Sequence, residues 1–419
     1  MELYEHRIIN GVLKSLPTVT DPDQALELLS QDIEIVADPE RVSLHDLWPA
    51  IWALATVTSR QFRGRIFIRC GLQGSLPAPA PLSSRCVFTS KSNFGAIQIG
   101  LGIPSEPIHK YPLWGDVKGS SISHMRLLTG NQNAHPISCF ALAGYLGFAA
   151  LATVVGIPHC REDYITDEIT MPFSSTDLYI HPQDGLAFLG LGQLGQAYLA
   201  LLYFMIAETN HKPDVLLLDR DCFEEANWST QILLGEQDLW RHKPKSSFLA
   251  SELSGFGWNI VAETTDLAWG WTRPSHHPRL ALLGFDNFDA RRIVIEAGYD
   301  WLFEAGVGTS FLSPRVSWHS LPPERTLGLL FRRSENAISL ELETATEFLE
   351  GLKKNTPGGC GWVIFNNISA TAPSMGLVAA AFEWTEVLRF LQGERAPIEG
   401  HACLWSQLLP FNRVVISGV

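Results

Sequence analysis

Cysteine is sparse and unpaired in this sequence. The seven residues Cys70, Cys86, Cys139, Cys160, Cys222, Cys360 and Cys403 are scattered over 419 positions, with no Cys-x-x-Cys pair. An odd, dispersed set is the pattern of a reducing compartment, not of a disulfide framework. It also offers no thiol set for structural zinc, and no histidines have metal-ligand spacing, so zinc is not expected. Positive charge is short too: 31 Lys and Arg face 44 Asp and Glu, a formal net charge of −13. A nucleic-acid binder needs a basic face to replace counterions, so that class is excluded. The N-terminal MELYEHRIINGV has no signal-peptide core. With the cysteine pattern, this predicts a cytoplasmic protein.

Charged residues make up only 18% of the chain and apolar residues 46%, with 13 Trp and 22 Phe. Such a chain is globular, with material for large cores, and its length suggests two or three domains. Two uncharged stretches, 136–158 and 186–207, are each long enough to span a bilayer. Neither carries flanking basic clusters. The second is punctuated by a Gly-rich loop and is read as strand, loop and buried helix; the first is rich in Ala and Gly and is read as a helix packed tightly between neighbours. No membrane span is expected.

From residue 184 onward strands alternate with helices. A buried strand over 185–189 leads into Gly190-Leu191-Gly192-Gln193-Leu194-Gly195 and an apolar helix to about 207. A second strand, 215–218, ends at Asp219. A helix over 246–256 follows, then a strand over 280–284 ending at Asp286-Asn287, a helix over 289–298 and a strand from Trp301. This rhythm predicts an α/β fold with a doubly wound, mostly parallel, Rossmann-like sheet. Residues 309–372 read as a crossover region or lid outside the sheet core. Pro373 then opens a helix over 374–391 that closes at Gly393.

The N-terminal 160 residues repeat the rhythm weakly. Helices are expected over 4–16 and 45–62, strands over 64–68 and 96–99, and an apolar helix from Pro136. Residues 1–160 are read as a second, degenerate α/β domain without a nucleotide loop, or as an unrelated α/β domain. Residues 161–183 are read as a linker and 184–419 as the active domain.

Gly190, Gly192 and Gly195, between strand and helix, let a backbone approach phosphates at a helix N-terminus. That pattern suits NAD, FAD or ATP. Asp219, ending the next strand, suits ribose hydroxyls. The stretch Asp219-Arg220-Asp221-Cys222-Phe223-Glu224-Glu225-Ala226-Asn227-Trp228-Ser229-Thr230-Gln231 follows, with Lys243-Pro244-Lys245 and Asp286-Asn287 beyond it. As an ordered set these residues disfavour a nicotinamide oxidoreductase. The sequence here resembles the ubiquitin-activating-enzyme-like superfamily, which includes the sulfur-carrier adenylating enzymes of thiamine and molybdopterin synthesis. The resemblance covers about 184–310 and the helix at 374–391. Its domain layout looks most like the activating enzymes of bacterial ubiquitin-like (Bil-type) antiphage conjugation operons, in which an inactive adenylation domain precedes the active one.

The resemblance implies ATP and Mg²⁺. It places Asp219 on the ribose, Asn227 and Lys245 on the phosphates and Asp286 on Mg²⁺, with Asp221, Gln231 and Asn287 completing the pocket. It implies adenylation of a ubiquitin-like protein's C-terminal glycine, then transfer to a thiol for a conjugating enzyme. Cys360, in a Gly-rich turn before the 374–391 helix, is the candidate nucleophile; the alternative is a free thiol in a turn, since the position nearest the family's cysteine holds Asn366-Asn367. Cys222 and Cys403 are read as structural. The family's arginine is replaced by Thr230. Its substitute is Arg220, Arg241 or Lys243 nearby, or an arginine across a dimer or internal pseudo-dimer interface: Arg7, with Arg60 and Arg63 as rivals. Competing readings are a sulfur-carrier adenylyltransferase and a non-catalytic scaffold.

Overall fold

The structure is a computed structural model that describes residues 8–9, 12–13, 19, 21–37, 43–93, 95–102, 113–118, 121–124, 133–156, 169–170, 185–207, 212–238, 242–285, 288–307, 315–322, 372–394, 398–403 and 412–415. Two sheets are built from consecutive halves of the chain. The first holds β1 (Ile33–Ala37), β2 (Ile66–Arg69), β3 (Cys86–Phe88), β4 (Ile97–Leu101), β5 (Leu113–Lys118), β6 (Ser121–His124) and β7 (Ile169–Thr170). The second holds β8 (Leu186–Leu189), β9 (Asp214–Leu218), β10 (Asn259–Glu263), β11 (Leu280–Leu283), β12 (Trp301–Val307), β13 (Arg315–Leu321), β14 (Ile398–Cys403) and β15 (Asn412–Val415).

The spatial orders are β3-β2-β1-β4-β5-β6-β7 and β10-β9-β8-β11-β12-β13-β14-β15. In each sheet the first five positions are parallel and the rest antiparallel. The two halves thus share one strand order, which turns over between β1 and β4 in the first and between β8 and β11 in the second. Ligands of doubly wound sheets bind at the carboxyl ends of strands beside such a switch point.

The described helices are α1 (Pro22–Leu29), α2 (Leu44–Gln61), α3 (Pro136–Val155), α4 (Gln193–Ile206), α5 (Lys245–Ser254), α6 (Phe288–Glu296) and α7 (Pro373–Leu391). α3 and α7 start alike, each with proline in the first turn, where its missing N–H costs no hydrogen bond. Both end beside a glycine of positive φ, Gly156 at +74° and Gly393 at +98°. Between the sheets lie α2, α3, α7 and α4. A Cβ added at Gly144 of α3 would stand 2.5 Å from the Ser374 carbonyl oxygen of α7, so glycine lets these two backbones touch. Gln61 Nε2 donates to Ser374 Oγ at 2.8 Å across the same junction. One apolar core runs through both halves, including Trp52, Phe140, Phe188 and Trp384. A second, smaller core under α6 covers the opposite face of the second sheet, so that sheet is wound on both sides.

α3 is long and apolar enough to cross a membrane, with a mean hydropathy of 1.9, yet most of it is buried inside the protein. Its neighbours α2 and α7 supply the apolar surroundings. The sequence reading did not include α1, β3, β5, β6, β10, β14 or β15, and the chain departs from it in three further places. β7 lies within the expected linker and pairs with β6. β13 lies within the expected crossover region but joins the sheet, with Trp318 fully buried. β1 was not expected, because fully buried Glu34 interrupts its apolar run. Glu34 is compensated by Arg69 Nε at 3.0 Å and Gln98 Nε2 at 2.6 Å. Of the expected helix over 4–16, Ile8, Ile9, Val12 and Leu13 are helical and buried.

Candidate nucleotide site

β8 ends in a turn that only glycines permit. Gly190 has φ +85°, and its N–H donates to the Leu218 carbonyl of β9 at 2.9 Å. A Cβ at Gly195 would stand 2.1 Å from the Gly190 oxygen, and one at Gly284 would stand 2.3 Å from the same atom. Loop, helix and the end of β11 therefore meet backbone to backbone. Gly192 differs: the atom nearest to an added Cβ is 3.9 Å away. It is the N-cap of α4 and provides no side-chain cap. The start of α4 thus carries no side-chain cap and has free space at Gly192, an arrangement suited to phosphate.

Asp219 is the latch of this loop. One carboxylate oxygen accepts from Leu191 N–H at 2.6 Å and the other from Asp221 N–H at 2.7 Å. Burial pushes its pKa up, and the charge of Lys245 opposes that shift. Lys245 opens α5 after Pro244. A backbone bracket delivers it there: Phe223 N–H donates to Lys243 at 2.9 Å and Lys245 N–H to Asp221 at 2.9 Å. The buried Lys245 ammonium donates to Asp221 Oδ2 at 3.2 Å. Asp219, Asp221, Lys245 and the glycine loop are thus brought together.

Asn227 and Gln231 are buried in the next segment. Asn227 Oδ1 accepts from Glu224 N–H at 2.9 Å and closes a turn at Glu225–Asn227. Gln231 Oε1 accepts from Gln196 Nε2 at 2.7 Å. Gln196 was missed in the sequence. It also donates to the Leu191 carbonyl at 3.1 Å and accepts from Leu233 N–H at 2.9 Å. It ties the glycine loop to the Asn227–Gln231 segment from inside α4. Its signal was a polar amide set one turn inside a mostly apolar helix.

Thr230 is fully buried. Of the rival arginines, Arg63 is exposed, whereas Arg60 is buried and reaches from α2 into this segment. Its Nη2 donates to the Leu234 carbonyl at 2.7 Å and its guanidinium lies over the Trp228 ring. Its Nε and Nη1 have no partner among the described residues. Arg220 instead pairs with Asp266 on the surface at 3.0 Å. Ser83 and Ser84 both donate to Glu236, adding further ties between the halves.

Asp286 and Asn287 lie outside the described residues, between β11 and α6. Their flanks are held: Arg291 donates to the Phe285 carbonyl through Nε at 3.1 Å and Nη2 at 2.6 Å, and its Nη1 meets buried Glu304 at 2.6 Å. Arg7, Arg241 and Cys360 also lie outside. Cys222 is exposed, contrary to its structural reading, because it sits on the rim of the bracket and not under it. Cys70 and Cys139 are buried, and burial pushes the Cys139 thiol up to about 12. Trp258 is buried, but Trp269 is exposed under Arg292.

Residues 182–394 match the model of the BilD C-terminal domain family. The chain belongs to that family. The match takes in every described element from β8 to α7, and hence the whole glycine-loop site. The bacterial E1-like protein BilD of Collimonas sp. (strain OK412) is 29% identical over 231 residues, 55% of this chain and 49% of that protein. The chain therefore spans about half the length of the curated relative it matches. Escherichia coli MccB, solved with AMPCPP and MccA, is 14% identical over 67% of this chain and 71% of its own, with a TM-score of 0.34. The PaaA structure is 18% identical over 56% and 74%, with a TM-score of 0.37. These two likenesses are partial. The doubly wound fold of this BilD-family chain rests on its own strand order.

Proposed function

We propose that this chain is an ATP-dependent, E1-like activating enzyme acting on a ubiquitin-like protein. One observation carries the reading: an open Gly192, the uncapped start of α4, Asp219 and buried Lys245 converge at the carboxyl ends of β8 and β9. This donor set fits a nucleoside triphosphate. Backbone N–H groups and an ammonium meet its phosphates, and an acid stands one strand away for the ribose. Asp286 is the residue that would hold Mg²⁺, and the ion would neutralise charge on the phosphates.

The partner's C-terminal carboxylate attacks the α-phosphorus; pyrophosphate leaves and an acyl-adenylate remains. Lys245, the α4 N–H groups and Arg60 stabilise the charge that builds on the phosphate oxygens. A thiolate, with Cys360 the candidate, then attacks the acyl carbon; AMP leaves and a thioester forms. Residues 38–43 (Asp-Pro-Glu-Arg-Val-Ser), which follow β1 as the glycine loop follows β8, contain no glycine. The first half is therefore assigned a supporting role in an internal pseudo-dimer, with Arg60 as its contribution. Buried Thr230 favours the second reading, a scaffold that keeps the fold without chemistry.

Pyrophosphate exchange with a ubiquitin-like protein ending in glycine separates these readings. Wild-type exchange is expected, with Asp286→Ala abolishing it and Arg60→Ala lowering it about 10²-fold or more, the scale of one lost transition-state donor. Absence of exchange with any partner selects the scaffold. A reducible adduct that persists in Cys360→Ala removes that cysteine from the mechanism.

A further inference from the structure

Away from the glycine loop, β10 ends at Glu263, and the following segment returns to it at Pro274-Ser275-His276-His277-Pro278. The His277 side chain is 2% exposed, and its Nε2 lies 2.7 Å from Glu263 Oε1. The His276 ring stands edge-on to it, with centroids 4.6 Å apart. All three residues present a donor atom within 4.8 Å of one another. The sequence did not show this, because the carboxylate comes from a strand end and the imidazoles from a later loop.

Two buried polar atoms nearby lack a partner among the described residues: His277 Nδ1 and the Tyr299 hydroxyl. A His–Glu ion pair accounts for His277 Nε2. It leaves the other ring nitrogen bare and gives no reason for a second imidazole beside it. A buried polar atom without a partner is costly. Donor atoms of two imidazoles and a carboxylate this close together make a ligand set for a protein-bound metal. The loop is also tied down by Arg273. Arg273 Nη1 donates to the His277 carbonyl at 2.7 Å and its Nε to Gly298 at 2.9 Å, while its own N–H donates to Ala297 at 2.7 Å.

We propose that Glu263, His276 and His277 form a site for one divalent cation of the zinc, cobalt or nickel class. Two imidazoles and a carboxylate suit these metals and not magnesium or calcium, which favour all-oxygen shells. The ion clamps the 264–279 loop onto edge strand β10. That edge adjoins the nucleotide site, because Asp219 N–H donates to the Glu263 carbonyl at 3.2 Å. The proposal does not depend on the adenylation reading, since it concerns binding alone.

The test uses untagged full-length protein, stripped with EDTA, titrated with ZnCl₂ or CoCl₂ and desalted. About one retained equivalent per chain is expected, with a visible cobalt spectrum of nitrogen and oxygen ligation. His276→Gln alters an exposed side chain and leaves the buried pair intact; it is expected to weaken retention at least tenfold, as is Glu263→Gln. No retained ion, unchanged retention in His276→Gln, or a thiolate charge-transfer band placing cobalt on cysteine each overturns the proposal.

Discussion

Gly190, Gly195 and Gly284 lie so close together that none can carry a side chain without moving backbone. Gly192, two residues from Gly190, has the space they lack. The distinction predicts opposite outcomes for one substitution. Gly195→Ala drives a Cβ into the Gly190 carbonyl and is expected to cost about 1–3 kcal/mol, the usual range for overpacking. Gly192→Ala is expected to leave stability within about 0.5 kcal/mol, as at an uncrowded site, and to weaken nucleotide binding by occupying space meant for phosphate. Urea unfolding and nucleotide titration of the two variants check this; equal stability losses would contradict the packing. The glycines could be read from the sequence, but their division of labour could not, because it depends on Gly284 from a strand almost a hundred residues away.

Helices between two sheets are shielded on both sides, and α7 shows the consequence. Its Glu383 is fully buried. Burial, reinforced by Glu386 and Glu304, raises its pKa well above the ordinary carboxylate value. A group whose pKa is raised by folding binds its proton more tightly in the native state, so its contribution to stability is complete at low pH. That contribution is lost as pH rises from the unfolded value of about 4.3 toward the folded one. Glu383→Gln removes this dependence. The variant is expected to match the wild type near pH 4 and to exceed it near pH 7 in urea unfolding. A difference that shrinks as pH rises would place the burial penalty elsewhere. In sequence α7 is an apolar helix, and only the fold shows that β12 and β13 pack against it.

The two halves of the molecule share a core as well as a strand order. α2 and α3 cover α4 and α7, Gln61 reaches Ser374, and Arg60 reaches Leu234. The second half expressed alone, as residues 182–419, therefore exposes the apolar faces of α4 and α7. It is expected to aggregate or to bind hydrophobic dye. A monodisperse, cooperatively unfolding fragment in size-exclusion and thermal-melt experiments would show that the halves fold independently. The shared order is easily missed in the sequence, because the first half has buried Glu34 in β1 and no glycine loop after it.

Local chemistry alone determined β8, β9, β11 and β12, the helices α4 to α7, the glycine turn and the order of Asp219, Asn227, Lys245 and Asp286 along the chain. These signals are close together in the chain and follow from hydrophobic period, turn residues and strand ends. Tertiary structure decided that Arg60 reaches Trp228 and Leu234, that Gln196 holds the loop, that Cys222 is exposed, and that Glu263 meets two histidines. Each of those depends on parts of the chain far apart in sequence, brought together only when sheets and helices bury their apolar faces against one another.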